Sequence, residues 1–465
     1  AFSTDILSYK ANLRPASEAA EAKRWLKDIS AEGSTDIHKA LLQALQMITP
    51  NRPAYLLFLT DGLPTVGIQD SSLIRNEVRL NAPPNLRLFP FGVGYDVDTF
   101  LLDSLAQENH GQSTYIQPGE DLTRKLTAFY ERIEAPLLTD LALDFGEVKV
   151  YDVYPTPLPD LFAGSQILVV GRYRGGGTTE IRLSGQIDGK AETFIFPNQV
   201  FDREGTAFPS STQAAIPRLW ATRKIGHLLT QIRLKGADPE TIEQIVRLSI
   251  RYGIVTPYTS YLATEETPLG SHEQTRIREE QWQTYQAAPG EEISGMGAVQ
   301  KAAEQIALTA AEAPPSIDDE LQQKVKILGG RTFLFSNNIW IDTAYDPDKM
   351  STQPVAFLSE DYFRLLRAYP SLGAAFSLGE RVIALAGGVA YEVVPADNAV
   401  PALDLPEPIL EVELLEPSPT PATTPREAQP QPASPCFSVA LILVSLLFSG
   451  VTLKYLLDQR SEEKS

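Results

Sequence analysis

Cysteine is all but missing. Cys436 is the only one in 465 residues, which excludes an internal disulfide and a cysteine-built zinc site. Histidine is scarce too: His38, His110, His227 and His272 lie far apart, with no HExxH pair among them. There is no P-loop and no GxSxG elbow, so the common signatures of nucleotide hydrolysis and serine nucleophiles are absent and the chain reads as a non-enzyme. Basic residues are outnumbered, 40 Lys and Arg against 59 Asp and Glu, and the formal charge of -19 repels phosphate backbones and anionic lipid. Nucleic acid is therefore not an expected partner. Wholesale disorder and a polytopic membrane protein are excluded by 43% hydrophobic and 21% charged residues. The length allows about three folded units.

Residues 1–135 alternate helical and strand patterns, as βα units around a largely parallel sheet do. Ala19, Ala22, Trp25, Leu26 and Ile29 recur at helical spacing after Ser17, a candidate N-cap, and Ile37, Ala40, Leu41, Ala44, Leu45 and Ile48 form one apolar face of a second helix. The apolar run 54–59 reads as a strand buried on both faces that opens into the polar loop Thr60-Asp61-Gly62. A strand at 86–93, helix cores at 100–105 and 122–133 and a short strand at 113–116 follow. The chain starts at Ala1, inside what reads as a strand and without a signal peptide, and is expected to be the C-terminal part of something longer.

Beyond Pro136 the pattern changes. Residues 136–215 read as a small antiparallel β domain, 216–265 as an αα-hairpin opened by Pro217, and 266–320 as a partly helical linker. Compactness returns at 321–397, a small α+β module whose final hairpin crosses Gly387-Gly388. Residues 398–435 form a Pro-rich acidic stalk; from 401 to 435 there are ten prolines, six acidic residues and one basic one, so an extended spacer is expected. Residues 436–453 carry no charge over 18 positions, and Lys454 can snorkel, giving a transmembrane helix over 436–457 and a short tail at 458–465. Lys454, Arg460 and Lys464 follow this span while Arg426 is the only basic residue in the stalk, so the expected topology is single-pass, large N-terminal part extracytoplasmic and tail cytoplasmic.

Five segments, in this order, carry a family resemblance: Gly33-Ser34-Thr35-Asp36, Leu59-Thr60-Asp61-Gly62-Leu63-Pro64-Thr65, Phe91-Gly92-Val93-Gly94-Tyr95, Leu158-Pro159-Asp160-Leu161-Phe162-Ala163-Gly164 and Arg251-Tyr252-Gly253-Ile254-Val255-Thr256-Pro257-Tyr258-Thr259-Ser260. Over residues 1–265 the chain resembles proteins that join a vault/inter-alpha-trypsin (VIT) domain to a von Willebrand factor type A domain, as inter-alpha-trypsin inhibitor heavy chains and their bacterial relatives do. The resemblance implies an α/β fold: a partial, Rossmann-like type A domain with a mostly parallel sheet, lacking its first strand. Phe2-Ser3 resembles the second strand, which places the first strand and the VIT domain upstream of Ala1.

The resemblance also implies a metal-ion-dependent adhesion site for Mg2+ or Ca2+ at the C-terminal edge of the sheet, where hard oxygen ligands leave one position open for an acidic side chain of a protein partner. In the family an Asp-x-Ser-x-Ser loop, a Thr and an Asp supply the ligands. Thr35 matches the second position and Asp61 the third, and the first loop is absent; Asp70-Ser71-Ser72 has the wrong spacing. From local chemistry alone Thr35 also reads as an N-cap for the helix after it, and Asp61-Gly62 as a plain turn. Asp96 and Asp98 are two further carboxylates in reach of a cation, although Asp98 also suits a helix cap. Arg218, Arg223, Lys224, Arg233 and Lys235 read as a solvated face of the hairpin or a partner for acidic surface nearby rather than an anion site, and Trp220, Tyr252 and Tyr258 as packing aromatics. The leading functional expectation is a membrane-anchored adhesion or protein-interaction protein. The alternatives are a metal-sensing accessory subunit of an AAA-type ATPase and a metal-less scaffold.

Overall fold

The computed structural model describes residues 1–403 except 31, 50–52, 134–135, 164, 188, 203–210, 260–268, 288–291 and 317–321. The stalk beyond Leu403, the span 436–457 and the tail 458–465 lie outside the described residues. Among the described residues no helix is long and apolar enough to cross a membrane.

The N-terminal unit is an α/β fold on a parallel sheet. Strands β1 (Ala54–Thr60), β2 (Leu86–Val93) and β3 (Thr114–Ile116) pair in parallel in the order β1-β2-β3. The helices are α1 (Ala19–Lys27), α2 (Ile37–Leu45), α3 (Ser71–Asn81), α4 (Thr99–Glu108) and α5 (Leu122–Ile133). On one face of the sheet Ile37, Leu41 and Leu45 of α2 pack with Ile74 and Val78 of α3 and Leu101, Leu102 and Leu105 of α4. On the other, Phe129 and Ile133 of α5 cover Phe89 and Phe91. Parallel strands are covered on both faces when helices cross over them, and β2, the central strand, is buried along nearly its whole length.

Two expectations at this end are corrected. The run 54–59 is not buried on both faces: among the described residues β1 pairs only with β2, which makes it an edge strand, and Leu59 is 37% exposed. Phe2 and Ser3 form no strand; Phe2 makes a single bridge with Ile6, and its ring stacks on Phe58 at 5.3 Å. Helix α1 forms where its spacing predicts yet buries none of its residues. Leu26 is largely exposed and Trp25 leans on Tyr9.

The β-rich unit has a four-stranded antiparallel sheet in the order β6-β4-β8-β9 and a two-stranded ribbon β5-β7. These are β4 (Pro136–Asp144), β5 (Lys149–Tyr154), β6 (Leu161–Phe162), β7 (Val170–Arg174), β8 (Gly177–Ile187) and β9 (Lys190–Phe201). The hairpin follows as α6 (Ser211–Lys235) and α7 (Pro239–Tyr252). Helix α6 starts ahead of Pro217 rather than at it. Asp238 caps α7 by accepting from Thr241 N at 2.9 Å, and Gly253 ends it at φ +60, a left-handed closure that suits glycine.

The expected linker is instead two packed helices, α8 (Ser271–Ala287) and α9 (Met296–Thr309). Val299 and Ala302 of α9 are fully buried in the core of the N-terminal unit. Where α9 meets α6, a methyl on Gly226 would stand 2.7 Å from the Thr309 backbone nitrogen, so glycine lets the two helices come close. Interfaces made of alanine and glycine carry little hydrophobic signal, and such a segment therefore reads as polar.

The C-terminal module is a six-stranded mixed sheet, β10-β11-β12-β14-β15-β13, with strands Val325–Leu328, Arg331–Ser336, Ile339–Asp342, Thr352–Ala356, Val382–Ala386 and Val389–Val394 numbered in chain order. The hairpin expected at Gly387-Gly388 is there, with φ of +56 and +81. A helix, Glu360–Ala368, capped by Ser359, places Tyr362 and Leu365 on the sheet.

A candidate binding site at the loop end of the parallel sheet

Two loops meet where β1 ends. The loop before α2 and the loop after β1 are tied by backbone: Thr35 N donates to Thr65 Oγ1 at 2.8 Å, and the Thr35 carbonyl accepts from Thr65 N at 3.0 Å and Val66 N at 3.4 Å. These bonds set Thr35 beside the loop that carries Asp61. A methyl on Gly62 would lie 3.4 Å from Thr35 Oγ1, so the hydroxyl faces that loop. Thr60 shapes the turn, its hydroxyl donating to the Gly62 carbonyl at 3.0 Å.

Thr35 is not the helix cap. Asp36 is, its carboxylate accepting from Lys39 N at 2.9 Å. Gly67, at φ +68, brings its backbone against that carboxylate. Among the described residues the Thr35 hydroxyl and the exposed Asp61 carboxylate have no hydrogen-bond or ion-pair partner. Two unoccupied hard oxygens at the loop end of a parallel sheet are the start of a shell for Mg2+ or Ca2+, which asks for about six. Asp36 is buried and one of its carboxylate oxygens is engaged as the cap. The Thr4 hydroxyl accepts from Ser34 N at 2.9 Å. No group of three or more His, Cys, Asp or Glu able to hold a metal occurs among the described residues. The donors present fit part of such a shell and do not complete it.

The other acidic candidates have structural work. Asp98 caps α4, accepting from Leu101 N at 2.8 Å and from the Ser71 hydroxyl. It is 2% exposed, and burial pushes its carboxyl up against these hydrogen bonds. Asp96, by contrast, is exposed. Asp70 caps α3, accepting from Leu73 N at 2.9 Å.

Asp160, in the fourth family segment, takes Arg87 of β2: Nε at 2.8 Å and Nη2 at 3.3 Å, with Asp140 accepting from Nη2 at 2.5 Å. Arg87 is 2% exposed, so this is a sealed seam between the parallel sheet and the β-rich unit. The fifth segment is structural as well. Gly253 ends α7, Ile254 is buried, Thr256 and Thr259 bond each other at 2.8 Å, and Tyr252 packs edge-on against the buried Trp220.

In the basic group of the hairpin the solvated-face reading is corrected, while Lys224 and Arg233 do partner acidic side chains, Asp152 and Asp103. Arg223 and Arg233 are 4% and 8% exposed, not solvated. Arg223 donates to the carbonyls of Ala311, Tyr154 and Leu168, and burial lowers its pKa. Arg233 pairs with Asp103 of α4 and donates to Gln305 of α9 at 2.7 Å, while Tyr115 OH donates to Asp103 at 2.7 Å. Helical spacing gives the side of a helix on which a charge sits, not what packs there. The only advance signal was an arginine beside a leucine stripe.

No protein-family model matches the chain. Human inter-alpha-trypsin inhibitor heavy chain H2 is 30% identical over 287 residues, covering 57% of this chain and 30% of that protein. The chain's homologues are inter-alpha-trypsin inhibitor heavy chains. Human heavy chain H4 is 30% identical over 60% of this chain, and pig H4 31% over the same share. The chain spans about 30% of the length of these curated relatives. Among solved structures it is similar to a von Willebrand factor type A protein from Catenulispora acidiphila (TM-score 0.34, 14% identity, 65% of this chain and 76% of that one). A second likeness is to the ArnB paralog VWA2 from Sulfolobus acidocaldarius (TM-score 0.31, 16% identity, 63% and 72%).

Proposed function

We propose that the chain is a non-enzymatic protein-interaction or adhesion unit that presents the loop end of its parallel sheet to a protein partner. The observation that carries this reading is Thr35, held by hydrogen bonds against the loop that carries Asp61, with the Thr35 hydroxyl and the Asp61 carboxylate both without partners among the described residues. Water satisfies both groups in the free chain, so they are available to a ligand without breaking a bond of the fold. In this reading Thr35 and Asp61 hold part of the shell of a Mg2+ or Ca2+ ion, a first loop supplied from upstream of Ala1 holds more, and an acidic side chain of the partner takes the remaining place. The free edge of β1 suits such an upstream strand. The stalk 398–435 and span 436–457 would then display the unit outside the membrane.

Calorimetry tests it. Mg2+ or Mn2+ should bind negligibly to the present chain at physiological concentration and measurably to a polypeptide lengthened by the first strand and its Asp-x-Ser-x-Ser loop. Asp61→Ala should abolish that binding and Thr35→Ala should weaken it. Partner binding indifferent to EDTA would favour the metal-less scaffold, a reading supported by the incomplete donor set.

A further inference from the structure

The two-stranded ribbon β5-β7 carries basic side chains on one face of an otherwise acidic chain. Lys149 stands directly opposite Arg174 and Tyr151 directly opposite Arg172 in the antiparallel register. Side chains alternate along a strand, so these four share one face, while Val150 and Tyr173 turn into the core on the other. Lys149, Arg172 and Arg174 are exposed, and among the described residues no acidic side chain pairs with any of them. The nearby carboxylate of Asp152 is already bonded to Lys224 at 2.7 Å. Like charges facing each other across a ladder destabilise it. The Lys149–Arg174 pair therefore works against the fold where a neutral pair would not.

The two arginines are held in place by aromatic rings. The Arg172 guanidinium lies 5.3 Å from the Tyr151 ring centre and 5.2 Å from that of Trp220; Arg174 lies 5.3 Å from Tyr151. Trp220 is itself fixed, buried and donating to the Asp152 carbonyl at 2.9 Å. The N–H groups of both arginines have no hydrogen-bond partner among the described residues and can take a carboxylate in the paired, two-bond geometry. Arg172 and Arg174 are two positions apart on a strand, a spacing of about 6.7 Å. Carboxylates on alternate residues of an extended peptide repeat at the same interval.

We propose that the exposed end of this face of the β5-β7 ribbon, beside α6 and formed by Lys149, Tyr151, Arg172 and Arg174, docks an extended acidic peptide of a partner protein through carboxylates on alternate residues. The site needs no metal and is separate from the Thr35–Asp61 end of the molecule. Charge complementarity selects the sign of the partner, and the strand spacing selects its pattern.

The test uses the whole chain and two synthetic fluorescent peptides of equal length and equal charge. One has Glu alternating with Thr; the other has the same Glu residues in one block. Fluorescence anisotropy in EDTA at low salt should show tighter binding of the alternating peptide. The double substitution Arg172→Gln, Arg174→Gln should weaken it roughly a hundredfold, about tenfold per lost charge-assisted pair, with unchanged near-UV circular dichroism. Arg172→Lys with Arg174→Lys keeps the charge and removes the fork, so binding should fall between wild type and the Gln variant. Equal affinity for both peptides, or a sulfated polysaccharide competing better than the alternating peptide, would reduce the face to a nonspecific polyanion surface and overturn the proposal. Binding unchanged in the Gln variant, or abolished by EDTA in the wild type, would place peptide recognition elsewhere.

Discussion

At the loop end of the parallel sheet, Thr35 and Asp61 are placed with care and then left unoccupied by the protein. At the seams the reverse holds: Arg87 is closed in by Asp160 and Asp140, and Arg233 by Asp103 and Gln305. Both regions contain residues from family segments or charged groups that look alike on paper. The difference is satisfaction. A buried arginine whose carboxylate partner is also buried holds modules in register, and losing either member strands a charge away from water. An exposed carboxylate without a partner adds nothing to the fold that its removal would cost.

The sharpest way to break this comparison is at a seam. Arg233→Ala leaves the Asp103 carboxylate, 6% exposed, without its cation and should destabilise the chain by about 3–5 kcal/mol in urea unfolding followed by tryptophan fluorescence. A loss under about 1 kcal/mol, the range of surface pairs, would mean that the seam is wet. Next in size is Gly226→Ala, which pushes a methyl into the Thr309 backbone and should cost about 1–3 kcal/mol by overpacking the α6–α9 crossing. Asp36→Ala removes the cap of α2 and should cost about 1 kcal/mol, while Asp36→Asn, also a good cap, should cost much less.

The smallest effect depends on pH. His227 is half-buried beside Tyr154, and burial, then Lys235 and Lys224, lower its pKa below the ordinary 6.5. The folded state thus favours the neutral ring. Its contribution is fully present above pH 6.5 and is lost as pH falls toward the lower folded value, because the unfolded chain takes up the proton first. The urea midpoint should fall between pH 7.5 and pH 5, and His227→Gln should flatten that slope relative to wild type.

Much of this fold was legible in the sequence, for physical reasons. Helix α2 shows a one-sided apolar stripe, β2 is an apolar run broken only by Arg87, and the Gly387-Gly388 hairpin needs two positive φ angles that glycine supplies readily. What was not legible depends on partners remote in sequence. The stripe of α1 has the right period, yet it meets Tyr9 through Trp25 and buries none of its residues. Helix α9 is buried through small residues, so its composition hid its place. Arg87 lies in a strand that reads as apolar, and its two acidic partners come from the next unit. At the candidate site the structure sets Thr35 against the loop that carries Asp61, and Asp36, not Thr35, is the cap.

The most direct test of the account sets Asp61→Ala beside Asp160→Ala in the same urea titration. Asp61 has no partner to lose, so its substitution should leave stability within about 0.5 kcal/mol of wild type, as surface changes do. Asp160→Ala removes the buried partner of Arg87 and should cost about 3–5 kcal/mol. If Asp61→Ala is as damaging as Asp160→Ala, Asp61 belongs to the fold and the loop end of the sheet is not a binding site.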